Sequence, residues 1–190
     1  MPSALRIKEL RNLSDNVLLD NGTLTNNVVF PAGHVIQTVT DQYVSPSTIT
    51  VTTSLDDYLG SNLECTITPT KNGNKLLIQA FIHGYYNNGQ GTRSLFAGFA
   101  YDANFSSGNG TTVGPRTFIA DHHGYLTQSN DLLTNLQYSI VVSVGTQAPS
   151  EGSASIIRPL FRSPNGDILI AANTAGSHGV FSMMVMEIQA

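Results

Sequence analysis

The sequence is short of charged residues, which make up only 12% of its 190 positions, against about 25% in a typical globular protein. Polar positions are filled largely by Asn, Thr, Ser, Gln and Gly. Such a surface suits a protein that buries much of itself against other chains, where an unpaired charge is costly. It also suits high or variable salt, where surface ion pairs contribute little. Both situations favour an assembled, extracellular particle over a cytosolic enzyme.

The sequence holds one cysteine and no tryptophan. A single cysteine excludes an intrachain disulfide. Cys65 alternates with Leu63 and Ile67, so we expect a small buried hydrophobic residue. No apolar run approaches the roughly 18 residues that span a bilayer, and MPSALRIKELRN lacks the apolar core of a signal peptide. We therefore predict synthesis in a cytoplasm, without export and without membrane insertion.

Basic residues are also few. The net charge is −4, and the nine Lys and Arg residues are scattered along the chain rather than clustered. A nucleic-acid-binding protein needs a basic face that neutralises phosphates. We therefore expect no nucleic-acid partner.

Helical periodicity is nearly missing, and only residues 4–13 and 129–136 could form helices. The first segment favours an extended chain, because Leu5 and Ile7 alternate with Arg6 and Lys8. The rest consists of short β-type runs separated by Gly, Asn, Pro and Ser. They cover residues 34–44, 48–54, 62–68, 75–86, 93–103, 116–121, 136–144, 154–162, 167–172 and 179–189. About ten strands without helical crossovers predict an all-β fold, an antiparallel β-sandwich or jelly roll.

Two of these runs, 75–86 and 179–188, are apolar on both faces. An antiparallel strand of a solvated monomer normally turns one polar face to water. With no helix to cover a second apolar face, we expect another subunit to cover it in a closed cyclic oligomer. The residues predicted for the subunit interface and core are Leu77, Phe81, Tyr85, Phe181, Met183 and Val185.

Residues 1–30 are rich in turn residues and weakly apolar, as in Asp20-Asn21-Gly22-Thr23. Such a segment could hardly fold alone, so we interpret it as an attachment arm or short stalk that is ordered by neighbouring chains. Its apolar residues are the candidates for attachment: Leu5, Ile7, Leu10 and Leu13. Residues 31–190 are then the main domain.

No catalytic signature is present. The chain has no G-x-S-x-G motif, its paired carboxylates Asp56 and Asp57 are neighbours in a turn, and its Gly-rich stretches lack the Lys and helix of a phosphate loop. His122 and His123 are adjacent, and adjacent strand residues point to opposite faces. A metal site would need His83, His178 or symmetry copies as further ligands. We predict a protein that is not an enzyme and has no cofactor or metal.

Tyrosines near Asn-rich loops are candidates for sugar contact, because such sites commonly combine an aromatic platform with hydrogen-bonding side chains. The loop at 87–92 and the loop at 104–115 flank one predicted hairpin. We expect the loops farthest from the attachment arm to face a receptor. The candidate receptor surface consists of Tyr86, Asn87, Asn88, Tyr101 and Tyr125.

The order of these features resembles the small virion structural proteins of tailed bacteriophages, of the marine and cyanobacterial type. The segments that carry the resemblance are LRIKELRN, DNGT, VFPAGHVIQTV, LECTITPTKNGNKLLIQA and FSMMVMEIQA. The resemblance implies a virion location and a fibre-head or knob domain like a C1q/TNF-type jelly roll, usually trimeric. It does not distinguish tail from capsid.

On this basis we expect a homotrimeric knob or fibre protein that docks to other virion proteins by its N-terminal arm and can contact host surface glycans. One alternative is a capsid decoration, or cement, protein that stabilises the head. A second alternative, from a different class, is a soluble lectin or C1q/TNF-like ligand. The missing export signal argues against the second alternative.

Overall fold

A computed structural model gives the fold of the chain. It describes residues 9–11, 17–20, 23–24, 31–45, 49–51, 57–58, 62–82, 85–87, 91–105, 110–124, 136–162, 168–170 and 179–190. Side chains are described for residues 31–43, 62–82, 96–105, 110–114, 137–162 and 180–190.

These residues form fifteen strands and no α-helix. The strands are β1 (Glu9–Arg11), β2 (Val17–Asp20), β3 (Thr23–Leu24), β4 (Val35–Ser45), β5 (Ile49–Val51), β6 (Asp57–Tyr58), β7 (Cys65–Ile67), β8 (Lys75–Ile82), β9 (Tyr85–Asn87), β10 (Gly91–Asp102), β11 (Thr111–Gly124), β12 (Leu136–Ser143), β13 (Ser155–Arg162), β14 (Ile168–Ile170) and β15 (Gly179–Ile188). Within the described part of the chain, no helix is long and apolar enough to cross a membrane.

Two large sheets make up the main domain. A four-stranded sheet has the order β12-β8-β15-β4, and a five-stranded sheet has the order β11-β10-β13-β6, with β7 also paired to β13. All pairings within both sheets are antiparallel. The sheets pack face to face as a β-sandwich, the arrangement to which jelly rolls belong. The predicted all-β, antiparallel fold is confirmed, although the large sheets hold nine strands and six more form two small sheets.

Alternating side chains build the core between the two sheets. Along β8 the residues Leu76, Ile78, Ala80 and Ile82 are buried, whereas Lys75 and Phe81 are exposed, as the two-residue period of a strand requires. Similar alternation in the other strands completes one contiguous cluster. Its other members include Leu63, Cys65, Ile67, Ala97, Phe99, Val113, Tyr138, Val142, Ile157, Phe161, Phe181, Met183 and Val185.

Tyr138 of β12 connects the two sheets. Its ring stacks on Phe99 with centroids 4.8 Å apart and meets Phe161 edge-on at 5.9 Å. Its hydroxyl donates a hydrogen bond of 3.2 Å to the carbonyl oxygen of Gly98 in β10. A buried tyrosine normally needs such a partner for its hydroxyl, and burial raises its pKa well above 10.

Strand β11 begins earlier than the sequence predicts, because Gly114 and Pro115 were assigned to a loop. Both lie inside the strand, where the pairing with β10 shifts between Ala97 and Phe99. Gly114 has a φ of 57°, and a Cβ there would lie 2.8 Å from side-chain atoms of Ile140 and Val142. Glycine is therefore needed for a bulge that packs closely against β12.

Strand directions define two ends of the sandwich. The base holds residues 31–34, 69–74, 144–154 and 189–190, which are joined by backbone hydrogen bonds such as Gly33 N to Gln189 O at 2.8 Å and Gly152 N to Pro69 O at 2.8 Å. We call the opposite end, where β4 and β8 finish, the tip. The main domain therefore begins and the chain finishes at the base.

The remaining six strands form two smaller three-stranded sheets. One of them has the strand order β5-β14-β9. This order parallels that of β4, β15 and β8 in the four-stranded sheet, where β15 is the middle strand. Each of β5, β14 and β9 follows or precedes its counterpart in the chain at the tip. Strands β1, β2 and β3 pair only with one another among the described strands. The predicted extended conformation is confirmed for residues 9–11, and the division at residue 30 stays a prediction.

A buried carboxylate holds the base together. Glu187 continues the inward-facing series of β15 and is 0% exposed. Its oxygens accept hydrogen bonds from Asn74 Nδ2 at 2.7 Å, Gln37 Nε2 at 2.6 Å, Thr70 Oγ1 at 2.8 Å and Thr70 N at 3.0 Å. Burial disfavours the charged form, but these hydrogen bonds outweigh it and lower the pKa of Glu187 below its ordinary 4.5.

We expect Glu187→Gln to lower the free energy of unfolding by about 1–3 kcal/mol at neutral pH, because the new amide nitrogen would face hydrogen-bond donors. Denaturant unfolding measures this change. The matched control is Glu151→Gln, since Glu151 is an exposed carboxylate that accepts one bond of 3.1 Å from Asn72 N. The control should stay within about 0.5 kcal/mol of the parent.

Glu187 should also make the free energy of unfolding depend on pH. Because the folded pKa of Glu187 lies below 4.5, its charged form stabilises the fold above that pH, and this contribution is lost as the pH falls through the folded pKa. The parent protein should therefore lose stability more steeply below pH 4.5 than Glu187→Gln does. Equal slopes in unfolding experiments across this pH range would contradict the assignment.

Candidate binding surface on the four-stranded sheet

The outer face of the four-stranded sheet turns away from the core. Among the described side chains, the residues on this face carry one charge, on Lys75 near the base, which donates a 2.7 Å hydrogen bond to Ser143 Oγ. The other residues of the face are Val35, Thr38, Thr40, Gln42, Leu77, Gln79, Phe81, Gln137, Ser139, Val141, Ser143, Val180, Ser182, Met184, Met186 and Ile188.

An apolar row crosses this face in its lower half. Leu77 of β8 is paired with both Val141 of β12 and Met186 of β15, so the three side chains are neighbours on one face. Val141 is 59% exposed, whereas Leu77 and Met186 are half-buried. We call these three residues the apolar belt. The belt therefore presents hydrophobic surface to solvent, most of it on Val141.

A groove with a volume of about 560 Å³ lies nearer the tip. Phe81 is paired with Gln137 and Ser182, and Ser182 is paired with Gln42, so one row of the groove crosses all four strands. The next row holds Thr40, Gln79 and Met184. We call these seven lining residues the amide groove.

Among the described residues that line the amide groove, the one charged side chain already has hydrogen-bond partners. Asp41 also lines it, but its Oδ1 accepts a hydrogen bond from Gln42 N and its Oδ2 accepts one from Glu64 N, both at 2.8 Å. The other described lining residues supply amides, hydroxyls, two thioethers, an alanine and an aromatic ring. Such a surface can form neutral hydrogen bonds and apolar contacts.

The residues predicted for the subunit interface and core fall on two different faces. Leu77 and Phe81 lie on the outer face, where Phe81 is 37% exposed. Phe181, Met183 and Val185 are buried between the two sheets of the same chain. These three therefore belong to the core. The side chain of Tyr85, in β9, lies outside the described residues.

The predicted receptor surface is split between the two ends. Tyr86 and Asn87 lie in β9 at the tip. Tyr101 lies near the end of β10, where it is paired with Ile157 close to the base, and its half-buried ring packs against the core. Asn88 and Tyr125 lie outside the described residues. Tyr101 therefore cannot share one site with the tip residues.

Most residues predicted for attachment lie outside the described residues, whereas the two adjacent histidines lie in a described strand. Leu10 is in β1, where it is paired with Leu19, and Leu5, Ile7 and Leu13 lie outside the described residues. His122 and His123 are in β11, opposite Arg93 and Thr92. The described side chains include no group of three or more His, Cys, Asp or Glu that could hold a metal ion.

Sequence reasoning missed the amide groove. Gln79 stands within the strongly apolar run KLLIQAFI, and Gln137 stands in LQYSIVVS. Alternation placed both residues on the side opposite the core, but glutamine on a strand is normally interpreted as ordinary solvated surface. The signal that was available is their occurrence on neighbouring strands. Only the register between β8 and β12 brings them side by side.

Comparisons with known proteins give distant likenesses. No family model and no curated protein matches the chain. Among solved structures, the chain is similar to Eiger TNF from S. frugiperda, with 13% identity, 80% of this chain and 93% of that chain covered and a TM-score of 0.41. It is also similar to the CBM22-1 xylan-binding domain of Xyn10C from Paenibacillus barcinonensis, with 10% identity, 85% and 99% covered and a TM-score of 0.26. The third similar structure is a chain of infectious bursal disease virus, Gx strain, with 15% identity and a TM-score of 0.26. The match covers 80% of this chain and 34% of that chain. Likenesses this distant carry no argument about function.

Cys65 is 0% exposed, as expected for a small core residue. Its Sγ lies 3.7 Å from the carbonyl oxygen of Val39 and 3.9 Å from that of Met183. Burial, with smaller contributions from Asp41 and Glu64, raises the pKa of the thiol to about 12. A thiol in this state is a poor nucleophile, since the thiolate is the reactive form.

We expect Cys65 to resist alkylation by iodoacetamide at about pH 8, where a free cysteine is partly ionised. Mass spectrometry of the intact protein measures the modification. The same protein unfolded in guanidinium should react fully, which serves as the control. Rapid modification of the folded protein would contradict the assigned burial.

Proposed function

We propose that this chain is a structural protein of a virus particle, a homotrimeric knob or fibre-head protein of a tailed bacteriophage. Residues 1–30 dock it to other virion proteins, and the β-sandwich faces outwards. The observation that carries the proposal is the outer face of the four-stranded sheet, which is partly apolar and carries a single charge among its described side chains. The virion class comes from the sequence resemblance, with which a β-sandwich is consistent.

Exposed hydrophobic residues mark this face as an interaction surface. Four large hydrophobic residues are exposed among the described side chains: Val35 (44%), Phe81 (37%), Val141 (59%) and Val180 (43%). Each comes from a different strand of the four-stranded sheet, β4, β8, β12 and β15 respectively. Single exposed hydrophobic residues are ordinary, but a group confined to one sheet indicates an interaction surface.

Low charge supports a second copy as the partner on this face. Interfaces between identical subunits are depleted of charge and enriched in apolar contacts. The apolar belt has the same composition, since its three residues are apolar and uncharged. Burying apolar surface there contributes about 25 cal/mol per Å². A closed ring of copies would shield the belt of each subunit with surface of the next.

The two ends of the sandwich support the proposed orientation. The main domain begins at the base, where Gly33 and His34 pair with Gln189. The first residue described in the sandwich, Pro31, therefore lies at the base, and β9 with Tyr86 and Asn87 lies at the tip. In a particle attached through residues 1–30, the base faces the virion and the tip faces the host.

The oligomeric state tests the subunit contact. At micromolar concentration, sedimentation velocity should give a particle of three chains of 20.3 kDa each. Val141→Asp should shift it to a single chain, because three carboxylates would be buried in the apolar contact. The matched control Thr112→Asp changes an exposed strand residue of the other sheet and should leave the trimer intact. A compact single chain in the parent protein would contradict the contact.

Position on the particle tests the virion role. Gold-labelled antibodies raised against the purified protein should mark the tails of phage particles in electron micrographs. Gold confined to the head would identify the decoration-protein alternative instead. Particles without any label, in preparations where the protein is found only free in solution, would overturn a structural role in the virion.

A further inference from the structure

We propose that the amide groove binds a neutral oligosaccharide. This inference deepens the proposed contact with host glycans, and it rests on the proposed function only for the source of the sugar. It assigns the contact to Thr40, Gln42, Gln79, Phe81, Gln137, Ser182 and Met184 on the outer face of the four-stranded sheet. The tyrosines considered in the sequence do not form this site.

The groove is built on regular structure. Its side chains come from β4, β8, β12 and β15, which form continuous antiparallel pairs over the whole site. The other faces of these strands are fixed in the core by Ala80, Tyr138 and Met183. A site held by paired strands is preorganised, which lowers the entropic cost of binding. Its volume of about 560 Å³ lies within the usual range of about 300–1,000 Å³ for ligand sites.

The amides of the groove lack partners within the protein. The side chains of Gln42, Gln79 and Gln137 make no hydrogen bond to any residue of the described chain, although Gln79 is half-buried. Each amide offers one acceptor oxygen and two donor hydrogens. Thr40 and Ser182 add hydroxyl groups that can both donate and accept. A ligand that presents many hydroxyl groups can satisfy this mixture of donors and acceptors.

The charge of the lining selects a neutral sugar. The described residues that line the groove include no Arg or Lys, so none of them could pair with the carboxylate or sulfate of an acidic sugar. Its single carboxylate, Asp41, already accepts two backbone hydrogen bonds. Phe81 and Met184 supply apolar surface for the C–H face of a sugar ring.

The apolar belt and the amide groove meet different demands. The belt needs a dry, apolar partner, which a second copy supplies. A second copy placed over the groove would have to pair each amide, and an unsatisfied buried amide costs about 1–3 kcal/mol. The groove lies nearer the tip than the belt does, because Phe81 and Ser182 follow Leu77 and precede Met186 along their strands.

The test is calorimetric titration of the intact protein with neutral hexasaccharides of glucose, mannose, galactose and N-acetylglucosamine. A hexamer of galacturonic acid is the acidic comparison. At least one neutral sugar should bind and the acidic one should not. Phe81→Ala and Gln137→Ala should each weaken binding by about tenfold or more, the equivalent of 1.4 kcal/mol. The matched control Ser139→Ala, on the same face of β12 but outside the groove, should change affinity by less than about twofold.

Sedimentation of the same variants separates this inference from the proposed trimer. Phe81→Ala should remain a trimer while losing sugar, and Val141→Asp should dissociate while retaining sugar. Sugar binding by a parent protein that sediments as a single chain would refute the trimer and support the groove. The inference is overturned if no neutral sugar binds, if both groove variants bind undiminished, or if Phe81→Ala dissociates the trimer.

Discussion

Side chains alternate between the two faces of a strand, so each residue that a strand contributes to the core fixes its neighbour on the outside. In β8 and β15 the inward positions are taken by Leu76, Ile78, Phe181 and Val185 among others. The residues between them must therefore face away from the five-stranded sheet. Because these intervening residues are apolar or uncharged, the outer face differs in composition from an ordinary solvated surface. The trimer and the sugar site proposed above both follow from this constraint.

Hydrophobic alternation was enough to predict the fold class, and it failed where both faces of a strand were apolar. In β15 the series with Phe181, Met183 and Val185 continues to Glu187, whereas the other series contains only apolar residues and Ser182. A rule that turns carboxylates to solvent would have placed the Glu187 series outside. The structure buries it, because Gln37, Thr70 and Asn74 supply hydrogen bonds from segments more than a hundred residues away in sequence. No local pattern contains those partners.

The candidate site was less predictable than the fold, for a related physical reason. A binding surface on a sheet is defined across strands, by the registers that place Gln137 beside Phe81 and Leu77 beside Val141. These registers depend on how the core packs, and a one-residue slip would exchange the two faces of a strand. Sequence reasoning identified Leu77 and Phe81 as outward apolar residues, but it grouped them with core residues of β15. It also placed Tyr101 with residues that the fold sends to the opposite end.

The outer face of the four-stranded sheet is divided into the apolar belt and the amide groove, and covering each with a different partner lowers the cost of removing water from it. The apolar belt loses water favourably wherever it is covered, since it has no polar group to satisfy. The amides of the groove lose hydrogen bonds to water on any covering, and they recover them only if the covering surface presents donors and acceptors in matching positions. A saccharide meets that requirement with its hydroxyl groups and leaves the belt free for a neighbouring subunit. A trimer that covered both parts would need a complementary set of polar groups opposite the three glutamines of the groove.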